Sequence, residues 1–391
     1  MNVEEIKDEL RHDIEKLRTK KGYLNAGYPR YDTLFGRDSI ITAWQMLKID
    51  PSIAKATLLV LSKYQGRTID PKSEEEPGKI LHEYRFNPQD QAELPEWKFP
   101  YYGGIDSTPL FIILAEKYLQ VTKDKQFISQ IWENLHAALA WIIQYGDADG
   151  DGYIEYQRKN PYGLFHQGWR DSSEDSLKIN PPVAIVEAQG YVYAAYYSII
   201  SIMEEINTNK GDNSEKIRKR AKKLKKKFNQ DFWMAQEQYL ALALDGAKIQ
   251  RKVITSNPGH VLFTGIVDDD KRDFVVNRLF QPDMWTPYGI RTHSTKEPDY
   301  DPYSYHFGSI WPHDNWIIYK GLQKFGYSPQ AEKIKHALLL TYNELHKIPE
   351  YYIVIDNKIV DPSISTKSMS YVRANPLQAW ASAALLEMLG V

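Results

Sequence analysis

The chain has 391 residues, of which 42% are hydrophobic and 26% are charged, enough for one large or two average soluble domains. Its formal net charge of -2 argues against nucleic-acid and anionic-membrane partners, because both favour a basic surplus. The absence of cysteine excludes disulfides, thiolate metal sites and a cysteine nucleophile, and it fits a reducing cytoplasm.

The amino-terminal stretch, residues 1–21, is charged throughout and lacks the apolar core of a signal peptide. No run approaches the roughly 18 apolar residues of a membrane-spanning helix. We therefore expect a cytoplasmic protein without a membrane partner. The sequence does not indicate an oligomeric state.

Apolar spacing and capping residues predict helices that are separated by long loops. In the first helix, the apolar residues recur every three or four positions. The predicted helices cover residues 2–20, 38–49, 51–64, 106–120, 125–145, 182–206, 214–228, a short stretch from 257, 268–280, 311–324, 328–345 and 376–389. The very basic helix, 214–228, is interpreted as a solvated outer surface, because its charge is balanced elsewhere in the chain.

Loop-borne helix starts recur at intervals of roughly 55 to 75 residues, and each has a capping or proline signal. They fall near Asp38, Asp106, Pro182, Pro258, Trp311 and Pro376. This pattern predicts six helical hairpins. The predicted fold is an all-α (α/α)6 barrel formed by residues 1–391 as a single domain. The long loops and short β segments would then lie at one end of the ring.

Two acidic residues on such loops suit the cleavage of a glycosidic bond. Asp171 lies beside Trp169 in FHQGWRDSSED, and desolvation against an indole raises a carboxyl pKa, so that the group can act as a general acid. Glu350 follows a proline in HKIPEYY and is the candidate general base. One acid and one base are the minimum for glycoside hydrolysis. Glu174 and Asp175 are alternatives to Asp171 for the role of acid.

Other motifs favour sugar contacts over metal binding. DADGDGYIEY opens like a calcium loop, but its twelfth position is Arg158 instead of a glutamate, so a turn with at most an irregular calcium site is expected. His306 and His313 lack a third ligand at a recognisable spacing, which argues against zinc. Arg37 and Asp38 could grip vicinal sugar hydroxyls or form a structural pair with Asp38 as helix cap. We expect no metal and no cofactor.

Several stretches together resemble a known family. In chain order they are LFGRDSIITAWQ, GKILHEYR, YYGGIDSTPLF, DGDGYIEYQR, HQGWRDSSED, VEAQGYVYAA, SNPGHVLFTGI, YGIRTHS, DPYSYHFGSIWPHDN, IPE and NPLQAWASAA. They closely resemble the catalytic domain of glycogen-debranching enzymes of the amylo-α-1,6-glucosidase type. They resemble more distantly the trehalases and processing α-glucosidases of the same six-hairpin clan. The resemblance extends from about residue 31 over nearly the whole chain.

The resemblance implies an (α/α)6 barrel and hydrolysis with inversion. It places the general acid at Asp171 and the general base at Glu350, in agreement with the residues themselves. An inverting pair stands roughly 6.5 to 9.5 Å apart, which leaves room for a water. The matching stretches also contain the candidate substrate-binding residues, which are Arg37, Asp38, Tyr102, Asp106, Trp169, Glu187, Gln189, His306, Trp311, His313, Asp314 and Trp380.

The chain departs from the debranching pattern in two places. Barrel motifs begin within about 31 residues of the start, where debranching enzymes carry a β-rich domain, and Tyr351 and Tyr352 replace the usual Leu-Phe after IPE. The first hypothesis, which follows from the resemblance, is an inverting exo-acting α-glucosidase on oligosaccharides or branched glucans. The first departure favours a short oligosaccharide or a glycoside of a small acid over glycogen. An alternative is a hydrolase of glucosylglycerate or mannosylglycerate, for which Arg170 or Arg291 would bind the carboxylate. A sugar epimerase on the same barrel, with catalytic histidines, is an alternative of another class.

Overall fold

The computed structural model describes residues 2–171, 179–208, 212–364 and 372–390. Most of the ordered structure in these ranges is helical. The helices are α1 (Val3–Lys16), α2 (Gly36–Met46), α3 (Pro51–Lys63), α4 (Pro88–Gln91), α5 (Ser107–Thr122), α6 (Lys125–Gln130), α7 (Trp132–Gln144), α8 (Val186–Glu205), α9 (Asp212–Asp231), α10 (Asn257–His260), α11 (Asp269–Leu279), α12 (Pro312–Lys324), α13 (Ser328–Leu345) and α14 (Ala379–Leu389). No helix in the described ranges is both long and apolar enough to cross a bilayer.

Six of these helices form a closed inner ring. Each of α2, α5, α8, α10, α12 and α14 contacts the next, and α14 contacts α2. The outer helices α3, α7, α9, α11 and α13 pack against the inner helix that precedes them in the hairpin, and α1 packs against α14. The sixth hairpin therefore joins the two ends of the chain. This arrangement confirms the predicted (α/α)6 barrel.

The burial of each helix explains its place in the ring. Outer helix α9 buries a stripe of Ile217, Ala221, Leu224 and Phe228, with the spacing of one helical face. Inner helix α14 instead buries nine of its residues on all sides, as expected for a helix surrounded by others. The lysines of α9 lie largely on its exposed face, as the sequence predicted.

Thirteen short strands in the described ranges tie the loops together. They are β1 (Gly27–Tyr28), β2 (Leu34–Phe35), β3 (Glu83–Tyr84), β4 (Ala184–Ile185), β5 (Trp233–Met234), β6 (Tyr239–Leu240), β7 (Ala243–Leu244), β8 (Gln250–Arg251), β9 (Trp285–Thr286), β10 (Gly289–Ile290), β11 (Ile353–Ile355), β12 (Lys358–Val360) and β13 (Leu377–Gln378). Antiparallel pairing of β1 with β13 places Gly27 opposite Gln378, and β2 pairs likewise with β3. A bridge between Ile310 and Tyr352 joins the loops before α12 and α14. The loops at the inner-helix starts are therefore held by backbone hydrogen bonds.

Neither Asp38 nor Asp106 caps a helix with its side chain, so both predicted caps are wrong. Helix α2 begins at Gly36, and its N-cap, Phe35, makes no side-chain cap bond. Asp106 is the N-cap of α5, but its carboxylate does not cap the helix. The carboxylates of Asp38 and Asp106 contact other side chains instead. Helices α8 and α14 begin a few residues after their predicted prolines, because β4 and β13 intervene.

Candidate active site

The starts of the inner helices converge at one end of the ring. Arg37 at the start of α2 forms an ion pair with Asp106 before α5, with Nη1 and Oδ2 2.8 Å apart. His313 in the first turn of α12 stacks on Trp380 at the start of α14, with ring centroids 3.6 Å apart. Residues that are distant in sequence are thus neighbours because each opens a helix of the same ring.

A cavity of about 270 Å³ lies at this end. It is lined by both predicted catalytic acids and by five of the predicted substrate-binding residues. These seven residues are Asp171, Glu350, Arg37, Asp38, Trp169, Trp311 and Trp380. Ligand sites commonly combine aromatic walls with a few charged groups in this manner.

Glu350 lies in the loop that precedes α14 and is 2% exposed. The hydroxyl of Tyr305 donates a hydrogen bond to Glu350 Oε1, and the Asn375 N–H donates to Oε2 at 2.8 Å. Burial raises the pKa of Glu350 to about 7, although both hydrogen bonds favour the ionised form. The carboxyl can therefore change protonation state near neutral pH, as a general base requires.

Asp171 lies in the loop that precedes α8, and its side chain is 21% exposed. Its Oδ2 is 2.5 Å from Arg37 Nη2 and 3.9 Å from His82 Nε2. Burial is the largest effect and raises the pKa of Asp171, while the Arg37 charge opposes the rise. The alternative acids Glu174 and Asp175 lie outside the described residues.

Arg37 does not form the predicted pair with Asp38. Its guanidinium forms ion pairs with Asp106 and Asp171. It also donates to the Gly168 carbonyl at 3.1 Å. The Oδ1 of Asp38 instead accepts a hydrogen bond of 3.2 Å from Gln378 Nε2. The ring brings an acid from the next helix closer to Arg37 than its own neighbour in sequence. Burial also raises the pKa of Asp38 to about 7.

Four indoles line the cavity, those of Trp97, Trp169, Trp311 and Trp380, and the last three form its aromatic wall. Trp311 stacks on Tyr351 with ring centroids 5.4 Å apart and an interplanar angle of 19°. Its Nε1 donates to the Tyr305 carbonyl at 2.9 Å. The Nε1 atoms of Trp169 and Trp380 are buried and have no acceptor among the described residues. These two donors are available to a bound molecule or to water, so the wall offers both apolar faces and hydrogen bonds.

Five other predicted residues support the wall without lining the cavity. Trp169 contacts His306 and His313 edge to face. Burial lowers the pKa of both histidines well below the usual value, so they are neutral. Asp314 accepts from His260 Nε2 at 2.6 Å. Asp106 anchors Arg37, and Glu187 is fully buried with a raised pKa caused by its burial. These contacts hold Trp169 and Arg37 in position.

Two predicted residues are not brought to the cavity. The Tyr102 hydroxyl donates to the Tyr64 carbonyl at 2.7 Å. The Gln189 amide accepts from the Ile154 N–H and donates to two backbone carbonyls, one of them that of Ile154 at 2.8 Å. Both polar groups are therefore occupied by local backbone, which gives these residues a structural role.

Other cavity residues were not predicted from the sequence. Arg30, Tyr31, His82, Tyr305 and Gln378 all line it. His82, Tyr305 and Gln378 lie within the stretches that resemble the debranching family, so the resemblance could have identified them as site residues. Arg30 and Tyr31 lie in a loop that β1 and β13 hold against the cavity, and this pairing between the two ends of the chain has no local sequence signal.

The acidic motif that resembles the start of a calcium loop has a basic partner. Asp147, Asp149 and Asp151 lie close enough together to hold an ion. However, the Lys248 ammonium lies 2.8 Å from Asp149 and 3.2 Å from Asp151, where it supplies the positive charge. The lysine therefore shares these carboxylates, and the irregular calcium site stays a prediction.

The predicted role of Glu350 as general base leads to an expected pH dependence of activity. A general base acts when ionised, so kcat/KM is expected to fall at low pH, where Glu350, whose burial raises its pKa to about 7, becomes protonated. The predicted acid, Asp171, must be protonated at the same time, and burial raises its pKa, so kcat/KM is expected to fall at high pH as well. Because the two carboxyls interact, the two apparent pKa values of the profile belong to the pair and not to either residue alone. A profile of kcat/KM against pH tests this expectation, and a rate unchanged from about pH 8 to pH 4 would contradict it.

A ring of six hairpins with paired acids in a cavity at the inner-helix starts is the arrangement of a six-hairpin glycoside hydrolase. Residues 31–358 match the family model of the mannosylglycerate hydrolase MGH1-like glycoside hydrolase domain, and the chain belongs to this family. The family lies within the predicted six-hairpin clan, but it is not the debranching family that the sequence most resembled.

Solved structures share this fold at low sequence identity. The GH63 mannosylglycerate hydrolase of Thermus thermophilus in complex with Tris has a TM-score of 0.73 at 14% identity, over 98% of this chain and 99% of that chain. Its complex with glucose has a TM-score of 0.74. A further glycosidase has a TM-score of 0.69 at 11% identity, over 99% of this chain and 96% of that chain. No curated protein sequence matches significantly.

Proposed function

We propose that this protein hydrolyses an α-glycoside of a small hydroxy acid, such as glucosylglycerate or mannosylglycerate, with inversion at the anomeric carbon. Asp171 is the general acid and Glu350 is the general base. The proposal is supported by the family, by the two titratable carboxyls in one cavity, and by a cation in its lining that has no carboxylate partner among the described residues.

The reaction follows from the two carboxyls. Asp171 donates its proton to the glycosidic oxygen while the bond from that oxygen to C1 breaks. Glu350 takes a proton from a water whose oxygen attacks C1 from the opposite face. The step leaves Asp171 ionised and Glu350 protonated, and exchange with solvent restores both. Because Arg37 contacts Asp171, it stabilises the carboxylate as its charge develops, and this contact is stronger in the transition state than before it.

The cation that favours an acidic aglycone is Arg30. Of the arginines that line the cavity, Arg37 and Arg85 have carboxylate partners. Arg30 donates to the Arg373 carbonyl at 2.7 Å and to the Tyr31 hydroxyl at 3.2 Å, and no carboxylate of the described residues is within ion-pair distance. A substrate carboxylate would complete its coordination with a charge-assisted bond. The position of Arg30 is the observation on which the proposal of an acidic aglycone rests.

The arginines predicted for this role do not reach the cavity. Arg170 is 1% exposed and donates to Asn257 Oδ1 and the His306 carbonyl. Arg291 donates to the Val354 carbonyl at 2.9 Å. Neither lines the cavity, so Arg30 replaces them as the proposed carboxylate ligand.

Replacing Arg30 with glutamine tests the aglycone. The Arg30→Gln variant is expected to lose about 10-fold to 100-fold in kcat/KM for glucosylglycerate or mannosylglycerate, because a charged hydrogen bond contributes about 1.5–3 kcal/mol. The matched substrates are the corresponding glycerol glycosides, which carry a hydroxymethyl group in place of the carboxylate. Because the Arg30 charge lowers the pKa of Glu350, each protein is measured at its own pH optimum, where turnover of the glycerol glycosides should change by less than about threefold. An equal loss on both substrates would show that Arg30 does not select the carboxylate.

An exo-acting α-glucosidase on oligosaccharides or branched glucans is the second candidate. The indole wall supports both candidate functions equally, because the wall would bind a terminal glucosyl unit whatever the aglycone is. The small cavity and Arg30 favour the charged glycoside. An epimerase is disfavoured, because it would need two histidines as acid and base, and among the described residues His82 is the only histidine that lines the cavity. A cytoplasmic location, a single domain over residues 1–391 and independence of cofactors stay predictions.

A further inference from the structure

A second and larger cavity lies toward the opposite end of the ring. It has a volume of about 720 Å³ and shares no lining residue with the catalytic cavity. Its lining comes from the carboxyl-terminal halves of α2, α5, α8, α12 and α14 and from the turn after α10. We call it the basal cavity. Its size falls within the usual range of about 300–1,000 Å³ for sites of small ligands.

The basal cavity has an excess of positive charge. Its lining contains the lysines Lys48, Lys117, Lys320 and Lys324 and the glutamates Glu116 and Glu387. Lys320 and Glu387 neutralise one another in an ion pair of 2.7 Å. Three ammonium groups and one carboxyl therefore remain, and burial raises the pKa of that carboxyl, Glu116, which weakens its negative charge.

Lys117 is the group that most needs a partner. Its ammonium lies 4.4 Å from the centre of the Trp44 ring, over the face of the indole. Among the described residues it has no hydrogen-bond acceptor and no ion-pair partner within 4.0 Å. Burial lowers the pKa of Lys117 to about 8; the Glu116 charge opposes this effect, and the Lys324 and Lys320 charges add to it. Lys117 is half-buried and forms no ion pair with Glu116, so an anion in the cavity would stabilise its charge.

A structural role for these lysines explains part of the arrangement. Cations near helix carboxyl termini interact favourably with the free carbonyls. Lys324 does this, since it donates to the Phe263 carbonyl at 2.7 Å. Lys117 does not, because its ammonium faces an indole and the cavity instead of a carbonyl. The charge of Lys117 is therefore not accounted for by the helices.

We propose that the basal cavity binds a small organic anion whose phosphate or carboxylate group contacts Lys117 and Lys324. Gln120 and Ser201 line the same space, where both hydrogen-bond to the Glu116 carboxyl. The Oε1 of Gln45, which also lines it, is buried and has no donor among the described residues, so it would accept from a ligand hydroxyl. The Trp44 face provides an apolar surface. This site is separate from the catalytic chemistry and does not depend on its assignment.

Calorimetry and thermal unfolding in a low-chloride buffer test the site, with inorganic phosphate, citrate and glucose 6-phosphate as probes. At least one probe is expected to bind the wild-type protein and raise its Tm. Lys117→Met should weaken that binding about tenfold or more, because it removes a charge-assisted contact. Without a probe, the variant should be at least as stable as wild type, since methionine fills the space without a buried charge.

Two controls locate the binding. Lys219→Met removes an exposed lysine of α9 and should leave probe affinity unchanged. Arg30→Gln removes the proposed carboxylate ligand of the catalytic cavity and should also leave it unchanged. The inference would be overturned if no probe binds the wild-type protein at about 10 mM, a weak affinity for any built site. It would equally be overturned if Lys117→Met binds as tightly as wild type, or if Arg30→Gln abolishes binding.

Discussion

The Glu350→Gln variant is expected to lose about 10³-fold or more in kcat while its substrate affinity changes by less than about threefold. The amide keeps the size of the side chain and can still accept a hydrogen bond from Tyr305 or Asn375, but it cannot take a proton from water. The loss should therefore fall on the chemical step. Steady-state kinetics give kcat, and calorimetry with the inactive variant gives the affinity directly.

The matched control for this variant is Glu344→Gln, which makes the same chemical change at an exposed position on α13. It should have the kinetics of the wild-type protein. Thermal unfolding of both variants separates a catalytic effect from misfolding. Near-normal turnover by a folded Glu350→Gln protein would rule out this residue as the base.

The Asp171→Asn variant is expected to show a loss that depends on the leaving group. With an unactivated glycoside, kcat/KM should fall by about 10²-fold to 10⁴-fold, because the departing oxygen is no longer protonated. With a glycosyl fluoride, whose departure needs far less protonation, the loss should be within about tenfold. This contrast assigns the acid, since a variant of the base would lose activity on both substrates. Measuring both substrates on both variants gives the assignment.

An exposed acid at the start of α11 offers the control for this variant. Asp270→Asn makes the same change away from the cavity and should alter neither substrate's rate. If Asp171→Asn lost the same factor on fluoride and glycoside, the residue would be acting on binding or on Arg37 instead of on the leaving group. The search for the acid would then turn to Glu174 and Asp175.

The ring was predictable because its signals are local. Helix periodicity, capping residues and prolines gave six repeated hairpins, and α13 begins and ends at the predicted residues, Ser328 and Leu345. The starts of α8 and α14 were less accurate, because Pro182 and Pro376 precede short strands whose partners are distant in sequence. A strand of two residues has too little sequence to be recognised without its partner.

Within the site, the acids were predictable and their partners were not. Asp171 and Glu350 follow from an unusual local context and a family resemblance, and both line one cavity. The pairing of Arg37 with Asp106 depends on how the first two inner helices meet. Arg30 reaches the cavity because the two ends of the chain pair there, and no local pattern indicates this. The candidate reactive groups were therefore easier to predict from the sequence than the residues that shift their pKa values or that would bind the aglycone.

The most direct test of the proposed acid and base is proton NMR of the first sugar released from an α-glycoside, recorded before the anomers equilibrate. If Asp171 protonates the leaving oxygen and Glu350 activates a water on the other face, the β-anomer should form first and then convert to the equilibrium mixture. Initial formation of the α-anomer would mean retention of configuration. It would contradict the proposed roles of Asp171 and Glu350.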